Sequence, residues 1–198
     1  MKKLFLTLTA AVAVGFAANA QTEKGKVILG GNVSYDYNKV KDSETERHSL
    51  GIVPSVGYFV SDNFAVGTGI GYGYEENTGA ASVFGTGDKL NAFTVAPFAR
   101  LYKGDGDFKF FGQLSVPMGW GTVKNGDTKL GNTASYGVEL APGFAYFPTS
   151  KIGIELSVRG LYYQNASLEP EAGSKVTTNS FGLNANSLAP RIGVQFYF

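Results

Sequence analysis

From Val27 to the C-terminus the chain alternates apolar residues with small or polar ones at a period of two, the spacing of a strand whose two faces meet different surroundings. Val27, Leu29, Val33, Tyr35 and Tyr37 share one side of the first run, and Gly30, Asn32, Ser34 and Asp36 the other. The second run sets Leu50, Ile52, Pro54, Val56, Tyr58 and Val60 against Ser49, Gly51, Ser55 and Gly57. In the third, Phe64, Val66, Ile70, Tyr72 and Tyr74 oppose Ala65, Gly67, Gly69, Gly71 and Gly73, a face of small residues that cannot build a core. Runs from Phe93 to Leu101, Phe108 to Trp120, Tyr136 to Tyr146, Ile152 to Tyr162 and Pro190 to Phe198 continue the scheme. The pattern predicts eight strands, each long enough for a tilted membrane crossing of about 9–11 residues.

Charges fall on the face opposite the apolar one: Asp36, Arg100, Lys109, Glu139, Glu155, Arg159 and Arg191. A soluble ligand-binding barrel is apolar within and polar without. A membrane barrel reverses this, with its apolar face against lipid and its polar face toward the lumen. Segment lengths alternate in the same sense. Asn38 to Arg47, Glu75 to Asp88, Val123 to Ala134 and Gln164 to Thr178 read as long polar loops, whereas Ser61 to Asn63, Lys103 to Asp107 and Pro148 to Lys151 read as short turns. Long loops outside and short turns in the periplasm are the rule for such barrels.

A repeated pattern of Pro followed by an aromatic, beginning at Pro54, Pro97, Pro142 and Pro190, leads three times into a short turn and finally into the C-terminus. Both ends of the mature chain are therefore expected on the periplasmic side. Tyrosines cluster at strand ends, as interfacial girdles require. Tyr35, Tyr37, Tyr72, Tyr74, Tyr136, Tyr162 and Tyr163, with Trp120, are assigned to the outer girdle, and Tyr58, Tyr102, Tyr146 and Tyr197 to the periplasmic one.

Composition adds an export signal. Met1, Lys2 and Lys3 form a basic start, Leu4 to Phe16 an apolar stretch and Ala18-Asn19-Ala20 an A-x-A site, so residues 1–20 read as a cleaved signal peptide and Gln21 as the first residue of a single domain over 21–198. The apolar stretch is shorter than the roughly 20 residues of a spanning helix. Of 17 basic residues, 15 remain after cleavage against 16 acidic ones, a balance that gives no footprint for nucleic acid. The absence of cysteine excludes disulfides, thiolate metal sites and a lipidated N-terminal Cys.

The signal peptide, the alternating strands and a last strand ending Ile192-x-Val194-x-Phe196-x-Phe198 together resemble the small outer-membrane β-barrels of the OmpA/OmpX type. The resemblance implies an all-β, eight-stranded, antiparallel, up-and-down transmembrane barrel in the bacterial outer membrane, in contact with lipid and lipopolysaccharide. It also implies recognition of Phe196 and Phe198 by the barrel-assembly machinery. Two departures stand out. The phase of the last strand slips between Leu183 and Leu188, which predicts a bulge near Asn184 to Ser187, and no cell-wall-binding domain is expected after Phe198.

An eight-stranded barrel is only wide enough for side chains to fill. Counted from the periplasmic ends, Glu139, Arg159 and Arg191 stand at similar heights, and Arg100 and Glu155 share a lower level, so these five are expected to plug the lumen as paired charges. His48, beside Glu46 and Ser49, invites comparison with lipid A-modifying barrel enzymes, but neighbours on a strand point to opposite faces and cannot readily share a proton. Gly67-x-Gly69-x-Gly71-x-Gly73 lacks the following helix of a phosphate loop. No catalytic, cofactor or metal residues are assigned. The sequence predicts a non-enzymatic structural or surface-interaction protein acting through its outer loops, with passage of a small or apolar solute as the alternative and lipid A modification third.

Overall fold

The computed structural model describes residues 21–79, 82, 87–184 and 191–198. Eleven strand segments run in order: β1 (Val27–Lys39), β2 (Glu46–Ser61), β3 (Phe64–Asn77), β4 (Asp88–Lys103), β5 (Phe108–Ser115), β6 (Met118–Asn125), β7 (Thr128–Thr149), β8 (Ile152–Ser157), β9 (Gly160–Pro170), β10 (Val176–Asn184) and β11 (Arg191–Tyr197). Three passes of the wall are made of two segments each, β5 with β6, β8 with β9 and β10 with β11, so the wall is a closed antiparallel barrel of eight strands. Pro117, which has no N–H to give a ladder, separates β5 from β6. Val158 and Arg159 separate β8 from β9, which opens on Gly160 at φ 67.

Every pass pairs with its neighbour in sequence, and closure is made by β1 against β11 through Ile28↔Tyr197 and Leu29↔Phe196. Val27 and Phe198 exchange two backbone bonds of 2.8 and 2.9 Å beside them. Val27 and Phe198 thus lie at one end of the barrel, here the near end, with the turns after β2, β4 and β7. Asn63, at φ 62, takes the left-handed position of the first of these turns.

Outward residues are the apolar ones: Val33, Leu50, Ile52, Val56, Val66, Ile70, Phe93, Leu101, Phe110, Leu114, Val138, Leu140, Ile154, Leu156, Ile192 and Val194 all remain exposed. A chain folding in water would bury them, whereas a lipid-facing wall is the surface they suit.

The structure departs from the sequence reading in three places. First, the polar segments at the far end are mostly strand. β6 and β7 meet across Gly126 and Asp127 alone, with Asn125 paired to Thr128, where a loop from Val123 to Ala134 is expected from the sequence. Gly126, at φ 57, occupies the first central position, where a II′ turn takes glycine. The other far-end connections shrink in the same way, because backbone pairing continues after side chains have stopped meeting lipid.

Second, the phase of the seventh pass shifts at Val158–Gly160. Ile154 and Leu156 face out below the break, and Leu161 and Tyr163 above it. Tyr162 therefore points into the lumen and not into a girdle. Third, Tyr102 and Tyr197 are 3% and 1% exposed and lie inside the barrel, so the near-end girdle keeps Tyr58 and Tyr146 only. Alternation from Leu101 and Phe196 already required this.

The phase slip expected at Asn184 to Ser187 falls largely on residues 185–190, outside the described residues. The outward residues flanking that gap, Leu183 and Ile192, are of opposite parity.

Beyond Leu29, among the described residues, β1 pairs only with β2, and β10 pairs only with β9. Two residues past the end of the β1–β11 ladder, Gly31 has a φ of 150 and lies opposite Pro54 of β2. A Cβ there would stand 2.6 Å from the Val53 carbonyl oxygen.

Candidate functional site

The barrel encloses a lumen whose two halves differ. In the near half, aromatic side chains enter spaces left by glycine. A Cβ on Gly67 would lie 2.5 Å from the Phe98 ring, and one on Gly143 only 2.3 Å from Phe111. Gly153 similarly yields to Tyr197 and Phe147. Of the glycines singled out as a small face, Gly67 is thus one half of a packing pair whose other half, Phe98, lies on a neighbouring strand.

Phe59, Tyr102, Phe111, Phe147 and Tyr197, with Ile28, Ala65 and Ala145, form the buried cluster. Rings meet at centroid distances of 5.8 Å for Phe59 with Tyr102, 5.7 Å for Tyr102 with Phe111 and 5.0 Å for Phe147 with Tyr197.

This cluster surrounds an ion pair. Arg100 on β4 donates from Nη1 to both carboxylate oxygens of Glu155 on β8, at 2.7 and 2.9 Å, and from Nε to Gln113 Oε1 at 2.7 Å. Its guanidinium lies 4.5 Å from the Phe111 ring centroid. The Tyr197 hydroxyl donates to Glu155 at 2.8 Å and meets the Tyr102 hydroxyl at 2.8 Å. Both carboxylate oxygens of Glu155 and the Nε and Nη1 groups of Arg100 are thereby hydrogen-bonded, which is what a buried pair needs to be tolerated.

Nearer the mouth, Lys109 Nζ donates to Thr22 Oγ1 at 2.6 Å and to Asn63 Oδ1 at 3.2 Å. Thr22, 2% exposed, is drawn into the opening by this contact.

Higher up, Glu139 on β7 receives Arg159 Nε at 3.1 Å and Arg191 Nη1 at 2.5 Å. Arg159 also stacks over Tyr162 at 3.7 Å, the inward tyrosine of the shifted pass. The five charges assigned to the lumen are therefore held in two groups, Arg100 with Glu155 and Glu139 with Arg159 and Arg191. Sequence reasoning missed the aromatic partners Phe59, Phe111 and Phe147, although each sits at inward parity.

The remaining assigned residues lie elsewhere. His48 stacks on Tyr37 with ring centroids 4.6 Å apart, and its Nε2 is 3.8 Å from Glu46. Phe196 faces outward at the near end, and Phe198 pairs with Val27. Gln21 is described, while Ala18 and Ala20 lie outside the described residues.

Residues 6–187 match the family model of the outer membrane protein beta-barrel domain. The chain belongs to that family. Among solved structures it is similar to the outer membrane protein OprG from Pseudomonas aeruginosa, at 18% identity and a TM-score of 0.50, covering 91% of this chain and 99% of that one. It is also similar to Neisserial surface protein A, at 14% identity and a TM-score of 0.50, covering 88% and 98% respectively. No curated protein matches the sequence. At these identities the likeness concerns the fold, and membership places this barrel with bacterial outer-membrane proteins.

Proposed function

We propose that this outer-membrane barrel is a non-conducting, non-enzymatic wall protein, which stabilises the membrane and presents its far end to the cell exterior. The observation that carries the reading is the filled near half of the lumen, where the aromatic cluster and the Arg100–Glu155 pair occupy the section any solute would have to cross. A path through would need that pair broken and both charges left without partners, a cost of several kcal/mol.

In this reading the chain is exported, loses residues 1–20 and begins at Gln21, with both mature ends in the periplasm. The buried Thr22 suits a cleaved end held at the near mouth. Phe196 and Phe198 serve recognition by the barrel-assembly machinery, and the outward apolar wall contacts lipid and lipopolysaccharide. His48 supports the non-enzymatic reading, since it is stacked on Tyr37 while Ser49 follows on the opposite face of the strand.

Planar-bilayer recording of the purified protein is the test. No steady unitary current is expected from the parent protein, and currents of constant amplitude would overturn the reading.

A further inference from the structure

The far half of the lumen is built differently. Directly paired residues point to the same side of a sheet, so the inward face can be followed from strand to strand. One inward row reads Gly73, Ala92, Gly121, Thr133, Leu168 and Val176, and the next toward the near end reads Gly71, Thr94, Gly119, Ser135, Ala166 and Thr178. Here the glycines receive no aromatic partner. A Cβ on Gly73 would meet nothing closer than 3.9 Å, whereas one on Gly121 would meet the Thr133 hydroxyl at 2.6 Å and both the Asn91 carbonyl oxygen and the end of Leu90 at 2.9 Å. The result is a cavity of about 630 Å³. Membrane-barrel interiors are polar as a rule. This one is lined mainly by apolar surface from Leu90, Ala92, Val123, Ala166, Leu168 and Val176.

Two further observations define what it suits. Its volume falls within the roughly 300–1,000 Å³ of small-molecule sites. The ionisable side chains lining it are Glu75, which Arg47 pairs at 2.6 Å, and Asp88, and no basic side chain is among the described lining residues to receive an anionic group. Thr94, Thr133, Ser135 and Thr178 offer hydroxyls to a single polar group on an otherwise apolar molecule.

We propose that the far half of the lumen is a binding cup for an uncharged, mainly apolar small molecule, such as one with an alkyl chain and a hydroxyl. The cup is closed below by the Glu139 ion pairs and the aromatic cluster, so it binds without passing its ligand to the near end. The inference goes beyond the wall-protein reading and stands whether or not the barrel has a surface partner.

Photolabelling in native outer membranes tests it, with a diazirine-bearing twelve-carbon alcohol as the probe and peptide mapping as the readout. Probe dissolved in lipid labels outward residues such as Phe93 and Val138, whereas probe in the cup labels Leu90, Val123 and Leu168. Inward label is expected to be displaced by excess 1-dodecanol, to need at least tenfold more dodecanoate for the same displacement, and to fall at least fivefold in Ala92→Phe/Ala166→Phe. Outward label alone, or inward label that 1-dodecanol does not displace, would overturn the proposal. If the double variant does not fold, competition on the parent protein decides by itself. Bilayer conductance is a separate readout, so failure of the cup and failure of the non-conducting reading can be told apart.

Discussion

Arg100 and Glu155 show what a single residue controls in this lumen. The side chains of the pair are 10% and 6% exposed, so removing either partner leaves the other charge in a site with little water. Breaking such a pair costs about 3–5 kcal/mol, whereas replacing both partners by well-packed apolar residues is often neutral or better. Glu155→Gln is therefore expected to lower the urea midpoint of unfolding in detergent micelles, and Arg100→Met/Glu155→Leu to recover most of the loss. Equal midpoints for Glu155→Gln and the parent would show that water reaches the pair. The parity of these charges was legible in the sequence, as was that of Tyr102 and Tyr197. Their shared hydrogen bonds were not, because β4, β8 and β11 come together only when the barrel closes.

Among the elements, the far ends of the strands behave differently from their membrane-facing parts. Polar residues there were legible as solvent-exposed, but hydropathy cannot tell a loop from a strand whose side chains meet water on both faces. The β1–β2 extension is held by Lys39 and Glu46, whose ion pair is 2.5 Å long. The hydrogen bond and charge of Lys39 hold the Glu46 carboxyl below its ordinary value of 4.5. A depressed folded-state pKa means that the pair stabilises the hairpin fully above the ordinary value and ceases to do so as pH falls through the lower folded one. Glu76 on the next strand is lowered too, first by the Tyr74 hydroxyl and also by Lys89. Amide protection factors at Lys39 and Glu46 are accordingly expected to fall between pH 6 and pH 3, while those at Leu29 and Val56 stay level. Uniform loss across all four positions would place the acid sensitivity in the barrel as a whole.

At the scale of the whole molecule, closure is uneven. β1 and β11 share a short ladder at the near end, beside the aromatic cluster, and among the described residues do not pair beyond Leu29. Stability is thus concentrated where the lumen is filled. A closed barrel of this kind is expected to resist dodecyl sulfate until boiled and so to migrate faster unheated than heated when taken from outer-membrane fractions. Identical migration in both states would argue against closure in the membrane. The far half, whose glycines receive no aromatic ring, leaves the space from which the binding proposal arises.

The sequence by itself determined the period of two, the apolar face, the inward parity of the charges and the near-end position of three short turns. These follow from local geometry, because successive side chains on a strand must point to opposite sides and the turns need particular residues. Tertiary structure alone decided which glycines are filled by aromatics from a neighbouring strand and which are not. It also decided that Tyr102 and Tyr197 meet on Glu155, and that the seventh pass shifts phase so that Tyr162 turns inward. Each of these depends on register and closure among strands far apart in the chain, and alternation along one strand carries no information about the height at which its neighbour stands.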